Sequence, residues 1–398
     1  MKALLLEKIN PSGIELLRKK GFTIEAHDRA FSQDELCEAI KGVSLLGIRS
    51  RTNVTPKVLE HADELLAIGA YCIGTNQIDL EATARAGIAA FNAPYSNTRS
   101  VAELAIGEII VLIRKLYNKI EMAHRGEWDK ASAGCYEVRG KKLGIIGYGN
   151  IGTQVSLLAE SLGMQVYYYD VVDKLSIGNA IKLDTLDDVL NIADVVTIHV
   201  DGRQSNTHLI GDAQFQIMKD GVLFLNLSRG HIVDIEALRT HILSGKIAGA
   251  GVDVFPLEPR GADEKFVSPL QGLPNVLLTP HIGGSTEEAQ RNIGDFVSSK
   301  LIEYLETGST FTSVNFPRIQ LSPMDDTHRL LHIHNNVPGV LSKLNTIFGN
   351  NHVNVVAQYL GTTQTIGYVI ADVDAQYKAS LFEDLSKVEN TIKVRILY

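Results

Sequence analysis

The sequence predicts an α/β chain. Two doubly wound parallel-sheet domains, one inserted in the other, are followed by a small ferredoxin-like sandwich. Three observations carry that reading. Short apolar runs alternate with helical patterns twice, from Met1 to about Ala93 and again from Lys141 to about Pro280. Only the second stretch opens on a glycine-rich turn, "KLGIIGYGNIG". From about Thr327 the pattern changes to β-α-β-β-α-β, the order of a split βαβ sandwich. The expected division is 1–96 with 284–325, then 97–283, then 326–398. The chain would leave the first domain near Asn97 and re-enter it near Gly284, and two such crossings make a hinge with a cleft between the lobes.

In the first domain, "KALLLE", "VSLLGIRS", "LLAIGAY" and "IAAFNAP" read as buried parallel strands, with "GIELLRKKG" and "SQDELCEAIKG" as helices between them. Gly21 and Gly42 stand where helix C-caps belong. A long helix is expected over Ser100–Asp129, apolar on more than one side in its first half. It is expected to be covered by another domain or subunit, the alternative being a central helix of a single chain. Six strands follow: "KLGIIGY", "QVYYYD", "DVVTIHV", "GVLFLNLS", "IAGAGVDVF" and "NVLLTP". Ser285 and Glu288 are spaced as a capping box for the helix after Gly283. "RIQLSPMDDTHR" reads as a linker. The last domain then runs through "RLLHIH", "GVLSKLNTIFGNN", "VNVVAQYLG", "IGYVIADVD", "KASLFEDLSKVE" and "TIKVRILY".

The 398 residues carry a net charge of −8, which exerts no general pull on nucleic acid or anionic lipid; an anionic substrate must be met by local cations. Cys37, Cys72 and Cys135 are odd in number and far apart, so they frame no disulfide scaffold and suit a reducing cytoplasm. No apolar run approaches a membrane span, and the N-terminal apolar run is too short for a signal peptide.

Gly147, Gly149 and Gly152 form G-x-G-x-x-G between a strand and a helix. The first glycine permits the turn, the second lets a pyrophosphate approach the backbone, and the third lets helix and strand pack closely. The N–H groups of Asn150 and Ile151 would face the phosphates. Asp170 ends the next strand, about 20 residues on, where an acid binds ribose hydroxyls and repels a 2′-phosphate. No basic residue follows immediately, although Lys174 is near, so NAD is expected over NADP.

Arg229, Glu258 and His281 each follow a strand of the second domain. Singly, each could be a solvated or structural side chain. Together they offer a guanidinium for a substrate carboxylate, a proton donor for a carbonyl oxygen, and a carboxylate to orient that donor. That set suits hydride transfer to a 2-keto acid. Arg49 and Arg51 follow a strand of the first domain and point the same way in extended chain. They could take a phosphate or second carboxylate across the cleft, or be two exposed arginines.

The stretches "RSRT", "NAPYSNTRSVAELAIGE", "GKKLGIIGYGNIG", "NLSRG", "VDVFPLEP" and "LLTPHIGGSTEEAQ" resemble the D-isomer-specific 2-hydroxyacid dehydrogenase family. With "HIHNNVPGVL", the whole chain is similar to bacterial members that carry a C-terminal ACT regulatory domain. That resemblance implies NAD-dependent oxidation of 3-phosphoglycerate to 3-phosphohydroxypyruvate, the first step of serine synthesis, with 2-oxoglutarate reduction as a further activity. It implies Arg229, Glu258 and His281 as catalytic residues. It places Asn150, Ile151, Asp170, Leu227, Ser228, Arg229, Asp253, His281, Ile282, Gly283 and Gly284 around NAD, with Asp253 at the nicotinamide carboxamide. Arg49, Ser50, Arg51 and Asn97 would surround the substrate. His334, Asn336 and Asn354 would bind L-serine between subunits as an inhibitor. A homotetramer is implied, with Trp128 near one interface. Two rival readings are another 2-hydroxyacid dehydrogenase and a non-catalytic NAD-sensing regulator. The chain departs from the family pattern at Asp326-Thr327, where a Gly-Gly pair is usual, at Val337, where a basic residue is common, and at Asp201, which replaces a proline.

Overall fold

Five short strands form the first sheet: β1 (Lys2–Leu5), β2 (Thr23–Ala26), β3 (Leu45–Ile48), β4 (Ala67–Ala70) and β5 (Ala89–Phe91). All pair in parallel, in the order β2-β1-β3-β4-β5 of a doubly wound sheet. The computed structural model describes residues 1–259, 264–324, 326–374 and 380–397. It divides into two units, Met1–Ser96 with Gln290–Tyr398, and Asn97–Ala289.

Strand β2 is an addition to the four strands expected. It is a half-exposed edge with Glu25 paired to Lys2, so it lacks the unbroken apolar run of a buried parallel strand. The first helix runs Pro11–Lys19, two residues earlier than its apolar pattern suggests. Asn10 caps it by accepting from the Ser12 N–H, and Pro11 fills a position that needs no donor. Gly21 and Gly42 close their helices at φ +84° and +67°.

The second unit holds seven parallel strands: β6 (Lys142–Ile146), β7 (Gln165–Tyr169), β8 (Ile181–Lys182), β9 (Val195–Ile198), β10 (Val222–Asn226), β11 (Ile247–Val252) and β12 (Val276–Leu278). Their order is β8-β7-β6-β9-β10-β11-β12, the 3-2-1-4-5-6 winding with one strand added. The expected long helix is two helices, Thr98–Ile113 and Leu116–His124, broken at Lys115, whose φ of +51° is left-handed. The first packs on its own unit, against Leu143, Val155 and Leu225, as the central-helix alternative expects. The second buries no residue, so the break releases the chain from the sheet surface. Trp128, just beyond it, is 82% exposed.

The helix Glu287–Thr307 is capped by Thr286, whose Oγ1 accepts from the Ala289 N–H at 3.1 Å. The cap therefore sits one residue beyond the Ser285 of the expected box. Val297, Leu301 and Tyr304 of this helix enter the core of the first sheet with Leu5, Tyr71 and Phe91.

The C-terminal sheet comprises β13 (Thr327–Asn335), β14 (Val355–Thr362), β15 (Ile366–Asp374) and β16 (Thr391–Ile396), antiparallel in the order β14-β15-β13-β16. Leu330, Val369 and Ala371 face the helices Val340–Asn350 and Ser380–Ser386. Their alternating neighbours Leu331, Tyr368 and Ile370 join the core of the first sheet. Lys378 and Ala379 of the expected second helix, Asp325 of the expected linker and the terminal Tyr398 lie outside the described residues.

Arg329, where the expected linker meets the expected strand, is a fully buried residue of β13 directly opposite Asp372 of β15. Its Nε and Nη2 donate to the two Asp372 oxygens, both at 2.7 Å. Nη1 donates to the carbonyls of Thr307 and Leu321, each at 3.0 Å, and Nη2 to that of Ser322 at 2.7 Å. All five guanidinium N–H groups have acceptors, and three of those acceptors belong to the segment leading into the sandwich.

Candidate active site

Because β6 to β12 are parallel, the loops after them gather at one sheet edge, where ligands collect in this architecture. The glycine turn leaves β6 there. Gly147 has φ +92°, and a Cβ on it would lie 2.6 Å from the His199 carbonyl oxygen, so only glycine fits. A Cβ on Gly152 would lie 2.2 Å from the Gly147 oxygen. A Cβ on Gly149 would meet nothing within 4 Å, and no side chain caps the twelve-residue helix Asn150–Ser161 that begins beside it. Open space above exposed helix N–H groups, Asn150 and Ile151 among them, is the cradle a pyrophosphate needs, so the residues present fit a dinucleotide.

Asp170 follows β7 and accepts from the Tyr148 N–H at 2.8 Å and the Val172 N–H at 2.9 Å. A guanidinium that sequence reasoning missed, that of Arg203, lies within the field of this carboxylate. It is claimed by Asp201, which accepts from Arg203 Nε at 2.7 Å and also from Asn206. The Asp201 departure is therefore a locally closed loop that neutralises the nearby cation.

The loops after β10, β11 and β12 bring the expected catalytic residues together. His281 Nδ1 donates to Glu258 Oε2 at 2.8 Å, and Glu258 Oε1 accepts from the Phe255 N–H at 3.0 Å. The Glu258 hydrogen bond holds the imidazole above its ordinary pKa against partial burial, with the charge of Asp253 assisting and that of Arg229 opposing. Burial pushes the Glu258 carboxyl up. Hydrogen bonds from His281 and the Phe255 amide, with the charges of His281 and Arg229, outweigh it and leave the carboxyl below its usual range. The two shifts agree in direction, each group favouring the charged form of the other.

Arg229 is half-buried and donates to the Ser228 carbonyl at 2.7 Å. Asn226, which carried no sequence signal, braces this turn: it accepts from the Ser228 N–H and Oγ and donates to the Arg229 carbonyl. Leu227 and Ser228 are buried beside it. Asp253 accepts from Thr279 Oγ1 at 2.6 Å, the Ile282 N–H at 2.8 Å and the Gly283 N–H at 2.9 Å. It thereby fixes the turn in which His281 adopts φ +55°. Asn97 packs against Gly284, where a Cβ would lie 2.6 Å from its Nδ2.

In the first unit, the loop Arg49–Ser50–Arg51 is exposed or half-exposed. Its backbone is held by Glu7, another residue the sequence did not reveal: the buried carboxylate accepts from the N–H groups of Arg49, Arg51 and Thr52 at 3.2, 3.0 and 2.8 Å. A carboxylate so engaged sets the backbone of the loop that carries both arginines.

The expected effector residues separate. His334 is buried against Gly367, with its Nδ1 3.3 Å from that of His332, and Asn336 donates to the Thr363 carbonyl close by. Asn354 stands at the other end of β15, where its carbonyl accepts from the Asp374 N–H. At 3.3 Å per residue that is roughly 26 Å away.

A fingerprint turn and an Arg-Glu-His set at one edge of a doubly wound sheet define an NAD-linked 2-hydroxyacid dehydrogenase, and the chain belongs to the D-isomer specific 2-hydroxyacid dehydrogenase family. The NAD binding domain of that family matches residues 106–283, and an AHAS small subunit-like ACT domain matches residues 330–393. All of the chain aligns with D-3-phosphoglycerate dehydrogenase of Escherichia coli (strain K12), 50% identical over 98% of that protein. It aligns equally with D-3-phosphoglycerate dehydrogenase of Haemophilus influenzae, 49% identical over 97% of that protein. The NAD-complexed crystal structure of a D-isomer specific 2-hydroxyacid dehydrogenase from Lactobacillus delbrueckii ssp. bulgaricus superposes with a TM-score of 0.66, 25% identical, covering 76% of this chain and 96% of that one. No helix among the described residues is long and apolar enough to cross a membrane.

Proposed function

We propose that this chain catalyses the NAD-dependent oxidation of 3-phosphoglycerate to 3-phosphohydroxypyruvate, the first step of L-serine biosynthesis, in the cytoplasm. The observation that carries it is the 2.8 Å His281–Glu258 pair beside Arg229, in a chain half identical to enzymes of that name along its length. Bound NAD supplies the nicotinamide that accepts hydride from C2. With Nδ1 engaged by Glu258, His281 Nε2 takes the hydroxyl proton as the carbonyl forms, and Glu258 stabilises the resulting imidazolium. Arg229 holds the substrate carboxylate through its planar fork. Arg49 and Arg51 take the phosphate, with Ser50 and Asn97 completing the substrate shell. The same arginines suit the distal carboxylate of 2-oxoglutarate, which we propose as an alternative keto acid. The test is a steady-state assay with NADH and phosphohydroxypyruvate against unphosphorylated hydroxypyruvate. Arg49→Ala is expected to raise KM about 10-fold or more for the phosphorylated substrate only. Equal effects on both substrates would exclude phosphate recognition. Preference for the unphosphorylated acid would favour another dehydrogenase of the family, and no turnover would favour a sensor.

We further propose that L-serine inhibits a homotetramer through the C-terminal domain. The support is the ACT-like match and the spread of the effector residues. Asn354 is too far from His334 and Asn336 to share one small ligand within a chain, whereas two copies related by symmetry would bring opposite ends together. His334→Ala is expected to abolish serine inhibition while leaving uninhibited turnover within about twofold, read from inhibition curves. Retained inhibition would remove His334 from the site.

A further inference from the structure

Glu108 is a buried carboxyl that none of the steps above uses. It lies within the helix Thr98–Ile113 at 4% exposure, and neither side-chain oxygen has a hydrogen-bond partner. Room for it is made by an absent side chain: a Cβ on Gly251 would come 2.5 Å from Glu108 Oε2. Gly251 lies in β11, two residues before Asp253. The carboxyl thus passes over the strand that presents Asp253. It faces the Asp253 carboxylate and the Thr279 hydroxyl, with neither of which it makes a well-formed hydrogen bond. Thr279 already spends its only side-chain proton on Asp253, at 2.6 Å. Both of these polar groups are therefore acceptors toward Glu108.

We propose that Glu108 is a positioning residue for the nicotinamide end of the site, acting through Thr279 and Asp253 on the turn that carries His281. This rests on the dehydrogenase reading above. Burial first, and then the charge of Asp253, raise the Glu108 carboxyl to about 8. It stands as the neutral acid at neutral pH, with an O–H to offer Thr279 or Asp253. Asp253, at the end of β11, is the charged group that faces it. Ionising Glu108 would set a second negative charge against Asp253 and loosen its grip on the Ile282 and Gly283 N–H groups.

The sign of the pH effect is definite. The unfolded chain gives up this proton above about 4.5 and the folded chain keeps it to about 8. The wild type therefore loses stability as pH rises through that window. Glu108→Gln cannot lose a proton. Its Tm relative to wild type is expected to rise by about 5 °C or more from pH 5 to pH 9, with kcat at pH 7 kept within about twofold. Glu108→Ala removes the support and is expected to lower kcat about 10-fold with little change in the KM for keto acid. A Tm difference that stays flat with pH, a Gln variant as impaired as the Ala variant, or an Ala variant with wild-type kcat would each overturn the proposal. The Tm arm needs no substrate, so wild type that turns over no 2-keto acid would sink the dehydrogenase reading and leave the neutral acid standing on its own measurement.

Discussion

Replacing His281 by alanine is expected to cut the reduction of keto acid by about 10²- to 10⁴-fold while leaving the Kd for NADH nearly unchanged. On the proposed mechanism the imidazole gives the carbonyl oxygen its proton, whereas the glycine turn proposed to hold the phosphates is a different loop, Gly147 to Gly152. Stopped-flow single turnovers with a fluorescence titration of NADH separate the two quantities. Parallel loss of both would make His281 a structural residue. The pH profiles follow from the pair. Glu258 holds His281 above its ordinary pKa, so reduction, which needs the imidazolium, is expected to persist to higher pH than an unpaired imidazole would allow and to fall as pH rises through the raised value. Oxidation needs the neutral ring and is expected to fall as pH drops through the same value. Glu258→Gln should move both midpoints down together, and a midpoint unchanged in that variant would remove Glu258 from its orienting role.

A second large effect is expected in stability. Asp372→Ala leaves the fully buried Arg329 guanidinium without its carboxylate. Removing one partner of a buried pair costs about 3–5 kcal/mol, far more than the net worth of the pair. Urea unfolding should show the loss in the midpoint with little change in m. Arg329→Met combined with Asp372→Leu removes both charges but also takes the donor from the Thr307, Leu321 and Ser322 carbonyls, so it should recover only part of the loss. A loss below about 1 kcal/mol in the single variant would mean that water reaches the site.

What could be read in the sequence tracks how local the determining physics is. The alternation of strands and helices, the glycine turn and the three strand-end residues depend on spacing along the chain, and the parallel sheet then delivers Glu258 to His281. Strand β2 hid because an edge strand with Glu25 lacks the apolar run of its neighbours. The break at Lys115 hid because no glycine or proline marks it. Glu7, Asn226, Arg203 and Glu108 were illegible for other reasons. Glu7 and Glu108 act on partners that only the tertiary fold supplies, such as the N–H groups of Arg49, Arg51 and Thr52, more than forty residues away, in the case of Glu7; Arg203 and Asn226 bond residues two or three positions away, within loops that no periodic pattern marks. The Arg329–Asp372 pair was likewise hidden by a strand that begins inside an apparent linker.

One hydrophobic interior serves both the first sheet and the C-terminal sheet: Leu331, Ile333, Tyr368 and Ile370 lie in it with Ala3, Leu5, Phe91 and Phe316. Cutting the chain before Thr327 would strip that interior and present an oily, aggregation-prone surface to solvent. An engineer wanting to alter the C-terminal sandwich should therefore change single side chains rather than shorten the polypeptide.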